Sequence, residues 1–67
     1  MKVQVKTSWH VFGHTELIPG YYVEVIEDRG DEVDIEFEDY RNETCYATVP
    51  ETVLDMREFR MTQEKGE

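Results

Sequence analysis

Sixty-seven residues include one cysteine, two prolines and seven basic side chains. The lone Cys45 excludes an internal disulfide and a cysteine-built zinc cluster, which suits a reducing cytosol. Against seven lysines and arginines stand sixteen aspartates and glutamates, a formal net charge of −9 with an isoelectric point near 4.5. Direct nucleic-acid binding is excluded on that count, because phosphate recognition needs a surplus of cations. No apolar run approaches the roughly 20 residues of a membrane-spanning helix, and no signal-peptide pattern opens the sequence, so a cytoplasmic protein with no membrane partner is expected. Disorder is excluded by what is present: 39% hydrophobic residues and eight aromatics are apolar surface worth burying. At 8.0 kDa there is room for one domain, expected over residues 1–61, with a frayed polar tail over 62–67. A chain this short hides only about 60% of its unfolded surface, so its core is thin. A pocket deep enough for catalysis is hard to build at this size, so no enzyme is expected.

The negative charge is concentrated. Residues 24–43 hold ten acids against Arg29 and Arg41, a net of −8, while residues 1–23 carry +1 and residues 44–67 carry −2. Within that stretch Val33, Ile35 and Phe37 alternate with Asp34, Glu36 and Glu38, the period of a strand with one face inward and carboxylates outward. Residues 21–27 read as a second strand, joined to the first by Asp28-Arg29-Gly30-Asp31, whose glycine accepts positive φ. A further turn at Tyr40-Arg41-Asn42-Glu43 leads to a third strand over 44–49, completing a meander.

Val3 and Val5 place another strand within residues 2–9. From Thr7 to Gly20 alternation fails, and an irregular connection is expected. After Pro50 a single 3-10 turn is expected, because a helix over 51–61 would spread Val53, Leu54, Met56, Phe59 and Met61 around most of its circumference. A last strand near 55–61 follows. Four or five short strands leave an apolar face uncovered unless the sheet curls into a small barrel.

Strand, long loop, meander, proline-containing turn and final strand resemble the order of Src-homology-3-like barrels. The run Ala47-Thr48-Val49-Pro50-Glu51-Thr52-Val53-Leu54 is similar to the turn before their last strand, and Pro19-Gly20-Tyr21-Tyr22-Val23-Glu24-Val25-Ile26 to a strand opening common among them. The resemblance implies an all-β fold, a five-stranded Src-homology-3-like barrel with a short 3-10 turn before its last strand. The Ala-Leu-Tyr-Asp-Tyr run of the signalling domains is missing, so recognition of proline-rich peptides is not implied.

The acidic hairpin is the candidate partner-binding site: Glu24, Glu27, Asp28, Asp31, Glu32, Asp34, Glu36, Glu38 and Asp39. Outward residues two apart along a strand lie about 6.6 Å from one another, a spacing that resembles a row of phosphates. Like charges side by side across a sheet are destabilising, and solubility alone does not require concentrating them. The partner implied is a basic protein, foremost a nucleic-acid-binding one. In charge profile the chain is similar to small phage-encoded inhibitors of host DNA-binding proteins, which imitate DNA. Two alternatives stand beside this. One is a Tudor-like or Src-homology-3-like reader of a basic peptide, using Tyr21, Tyr22 or Tyr40. The other is a structural subunit of a larger assembly. Exposed strand edges leave monomer and homodimer open.

No cofactor or metal is expected. His10 and His14 are four apart, yet Gly13 interrupts them and no further ligand follows. Cys45 reads as a small core side chain rather than a nucleophile, and Asn42-Glu43-Thr44, although a glycosylation sequon, reads as a turn.

Overall fold

The computed structural model describes residues 1–12 and 15–65. Its main sheet follows the alternating apolar residues. In β4 (Tyr22–Asp28) Val23 and Val25 are buried, and in β5 (Glu32–Glu38) so are Val33, Ile35 and Phe37. β6 (Thr44–Pro50) runs antiparallel to β5 and sets Val49 beside Val33, Ala47 beside Ile35 and Cys45 beside Phe37. The meander is therefore present, each strand within one residue of its expected bounds. Both turns contain a residue with left-handed backbone, Gly30 at φ 97° and Asn42 at φ 63°. Each is also braced by an aspartate at its entry. Asp28 Oδ1 accepts the Gly30 N–H at 2.9 Å, and Asp39 Oδ1 accepts those of Arg41 and Glu43 at 2.8 and 2.9 Å.

β1 (Lys2–Gln4) pairs with β4, giving the sheet order β1-β4-β5-β6. The first strand is shorter than the 2–9 expected: Val5 makes only an isolated antiparallel bridge with Leu54. The connection expected to be irregular instead contains a second, two-stranded sheet of β2 (Trp9–Phe12) and β3 (Thr15–Leu17). A register shift between His10 and Phe12 interrupts its ladder, which is why no clean period of two shows there. Leu17 is buried and Val11 packs partly against the core, so this hairpin closes one side of the apolar interior.

The C-terminal part also departs from expectation. Glu51–Val53 form the expected 3-10 turn, but a helix α1 (Arg57–Lys65) replaces the last strand over 55–61. Val53 and Leu54 are buried before the helix begins, in the turn and in the bridge to Val5. Only Met56 and Phe59 remain to face the core, and Met61 is exposed. The broad apolar spread that argued against a helix belonged to three successive elements. Helix formation starts at Asp55, whose Oδ1 accepts the Arg57 N–H at 3.3 Å, and the following residues are mostly good helix formers. The two sheets remain separate and do not close into a barrel. Among the described residues the fold is all-β in its main body, with one 3-10 turn and one helix.

Candidate partner-binding face

Burial of Val33, Ile35 and Phe37 dictates that Glu32, Asp34, Glu36 and Glu38 point away from the core. Glu24 stands directly opposite Glu36 on the same outer face. A β-bulge then changes the parity of β4. Val25 pairs with Ile35 and Glu27 with Asp34, so Ile26 has no partner across the ladder. The consequence is a swap: Glu27 turns to the outer face, while Asp28, opposite the buried Val33, turns toward the core side.

The nine candidate carboxylates consequently divide. Asp28 accepts Arg60 Nε at 2.9 Å and Nη2 at 3.1 Å, and Arg60 Nη1 reaches Glu51 at 2.6 Å. The Arg60 hydrogen bonds, then that of the Gly30 N–H, hold the Asp28 carboxyl below its ordinary range. Asp39 is consumed by its turn: its side chain is 4% exposed, and the Glu43 N–H is the chief cause of its lowered pKa. Asp34 accepts Arg29 at 2.8 and 3.0 Å and the Thr48 hydroxyl at 2.7 Å; the Arg29 bonds are the larger cause of its lowered pKa. Glu27 lies 3.8 Å from the same guanidinium, and Glu24 pairs with the N-terminal amine. Asp31, Glu32, Glu36 and Glu38 have no ion-pair partner within 4.0 Å among the described residues. Each of the four arginines, Arg29, Arg41, Arg57 and Arg60, meets a carboxylate of its own chain.

Aromatic and aliphatic groups share the outer face. Tyr46 is opposite Glu36, and Tyr22, Ile26 and Tyr46 are each more than half exposed. Exposure of Ile26 follows from alternation with the buried Val23 and Val25, and the bulge after it sets Glu27 on the same face. At the end of β5 a groove of about 340 Å³ runs between Ile18, Tyr21 and Tyr40, edged by Glu16, Glu38 and Asp39. The Tyr21 hydroxyl donates to the Glu38 carbonyl at 2.7 Å and fixes one wall, and the Arg41 guanidinium lies 5.6 Å from the Tyr40 ring centre.

Cys45 lies on the core side of β6, half-buried, with its thiol 3.8 Å from Asp39 Oδ2. Burial first, and then the Asp39 charge, push its pKa upward, so the reactive thiolate is disfavoured. His10 is exposed on β2; its companion His14 lies outside the described residues. Among the described residues no group of three His, Cys, Asp or Glu side chains is placed to hold a metal ion, and no helix is long and apolar enough to cross a membrane. Comparison with protein-family models, curated proteins and solved structures returned no significant match.

Proposed function

We propose that this chain is a non-enzymatic acidic binding protein that covers a cationic surface of a protein partner. The partner class we favour is a nucleic-acid-binding protein, inhibited or modulated because carboxylates occupy the place of phosphates. One observation carries the reading: the arginines are engaged within the fold, whereas Glu32, Glu36 and Glu38, outward positions of one strand, have no ion-pair partner within 4.0 Å among the described residues, Lys2 being the one cation beside Glu36 and Glu38 there. Such a face accelerates encounter with a basic surface and loses its hold as salt rises. Kinship to Src-homology-3-like barrels is part of the proposal. Supporting it are the 3-10 turn after Pro50 and the return of Leu54 to Val5, in the place of a last strand meeting the first.

The test is capture from a native lysate at low salt on the immobilised chain, followed by a salt gradient. A basic protein that elutes with salt, that DNA displaces, and that the variant carrying Glu32→Gln, Glu36→Gln and Glu38→Gln fails to capture is the expected result. Undiminished capture by that variant overturns the reading. The groove between Tyr21 and Tyr40 favours a second reading, in which a basic peptide is held by ring stacking. There Tyr40→Ala abolishes binding while neutralising the three glutamates changes it little.

A further inference from the structure

The two edges of the main sheet are treated differently. Beyond β1 the edge is closed, because Val5 bridges Leu54, the Asp55 N–H donates to the Gln4 carbonyl at 2.9 Å and the Lys6 N–H donates to the Val53 carbonyl at 2.8 Å. β6 is the last strand on the other side, and among the described residues nothing pairs with its outer edge. Sheet edges are ordinarily blunted by charge, proline or a bulge. Here Thr44 to Val49 carry no charge, the ladder to β5 runs without interruption over seven pairs, and proline appears only at the end, as Pro50. The core side is open at the same margin: Cys45 and Ala47 are small and only half-buried, while Val49 is fully buried. An unbroken, uncharged edge beside an incompletely covered apolar layer is a template for an added strand.

We infer that β6 accepts an extended segment of a partner protein as a fifth strand of this sheet, and that this segment alternates cationic with apolar residues. The inference rests on the proposed recognition of a cationic partner and adds how it is held. An added strand lies about 4.8 Å from β6 and about 9.6 Å from β5. Its outward side chains stand beside Thr44, Tyr46 and Thr48, whose partners across the ladder are Glu38, Glu36 and Asp34. Lysine or arginine there extends over the short threonines toward the unpaired Glu36 and Glu38 and over the ring of Tyr46. Residues of the opposite parity cover Cys45 and Ala47 and are therefore apolar. A second copy of the chain fits less well, because its own β6 brings no cation and the pairing sets two chains of charge −9 side by side.

The probe is a fluorescein-labelled peptide of alternating lysine and valine, prepared unmodified and with N-methyl groups on alternate backbone amides in each of the two possible frames. For an added strand of one direction with its lysines outward, only one frame directs its amides at β6. Methylation in that frame lowers affinity by at least about ten-fold, the loss expected for two or three backbone hydrogen bonds, and the other frame binds as the unmodified peptide does. Amide hydrogen exchange slows within residues 44–49 when the unmodified peptide binds. Equal, salt-sensitive binding of all three peptides overturns strand addition and leaves the acidic-face reading intact. If no peptide binds while a salt-displaced partner is still captured, strand addition alone is overturned; if that capture also fails, both readings fall. Protection of β6 that grows with protein concentration in the absence of peptide overturns it in favour of a second copy.

Discussion

Arg60 grips Asp28 across thirty-two positions of chain, with Nε 2.9 Å from Oδ2 and Nη2 3.1 Å from Oδ1, while Nη2 also donates to the Gly30 carbonyl at 2.7 Å and Nη1 reaches Glu51 at 2.6 Å. The contact ties α1 to the β4–β5 hairpin at the point where the bulge has turned Asp28 toward the core side. Arg60→Ala therefore frays the helix from the sheet and leaves Asp28 and Glu51 without their cation. Because the guanidinium is more than a third exposed, solvent screening limits the loss to about 1 kcal/mol. For a domain of this size that lowers Tm by about 4–8 °C, as thermal denaturation followed by circular dichroism would show. In a double-mutant cycle, adding Asp28→Asn to Arg60→Ala changes Tm less than Asp28→Asn does in the parent chain.

The hairpin between β4 and β5 depends on Gly30 at φ 97°, where an added Cβ meets nothing within 4 Å. Gly30→Ala is thus penalised by backbone conformation and not by a clash, at about 1 kcal/mol. Asn42, at φ 63°, already tolerates the left-handed region, so Asn42→Gly changes stability by much less. Chemical denaturation of the two variants with unchanged m-values checks the contrast. A loss at Asn42→Gly equal to that at Gly30→Ala would contradict it.

Where one face of a strand is buried and the other wet, the letters themselves show it. Val33, Ile35 and Phe37 between acids made β5 legible, and Gly30 and Asn42 marked both turns. Interrupted periods were not legible. The bulge at Ile26 is a tertiary adjustment of β4 to β5, and it alone decides that Glu27 joins the outer face while Asp28 leaves it. The same holds for β2 and β3, whose ladder shifts between His10 and Phe12. Helix α1 was hidden because Val53 and Leu54 belong to the preceding turn and bridge, which only the long-range contact with Val5 reveals. In the candidate site, the outward row of β5 could be read from its period. Which carboxylates remain unpaired could not, since it depends on where four arginines reach.

Asp55 is held at about pKa 2, against an ordinary 3.8, chiefly by the Arg57 side-chain hydrogen bonds at 2.8 and 3.0 Å and then by the Arg57 N–H. Asp28, Asp34 and Asp39 are shifted in the same direction. A carboxyl whose pKa is depressed by folding stabilises the native state fully above its unfolded pKa, and that contribution disappears as pH falls through the folded value. Tm is accordingly constant with respect to these groups above about pH 5 and declines from about pH 4 toward pH 2. Asp55→Asn retains a capping oxygen but not the charge. It lowers Tm at neutral pH and flattens the acid decline, so the two chains converge near pH 2. Parallel Tm profiles would show that the Asp55–Arg57 pair contributes nothing to folding.

Asp34 and Glu36 occupy successive outward positions on β5 and differ in what the fold asks of them. Asp34 anchors Arg29 and the Thr48 hydroxyl, so Asp34→Asn releases a guanidinium and weakens the link from the β4–β5 turn to β6. Glu36 faces Glu24 across the ladder, and like charges in that relation oppose folding. Glu36→Gln therefore leaves Tm unchanged or raises it, while Asp34→Asn lowers it. Binding should follow the opposite ranking. Affinity for a cationic probe such as an alternating lysine–valine peptide, measured by fluorescence anisotropy at two salt concentrations, falls with Glu36→Gln, and its dependence on salt becomes shallower. Asp34→Asn removes a charge already matched by Arg29 and has the smaller effect. A carboxylate that lowers stability and raises affinity is kept for contact with something outside the chain. If Glu36→Gln destabilises the domain and leaves probe binding unchanged, Glu36 serves the fold and the outer face of β5 loses its claim as a binding surface.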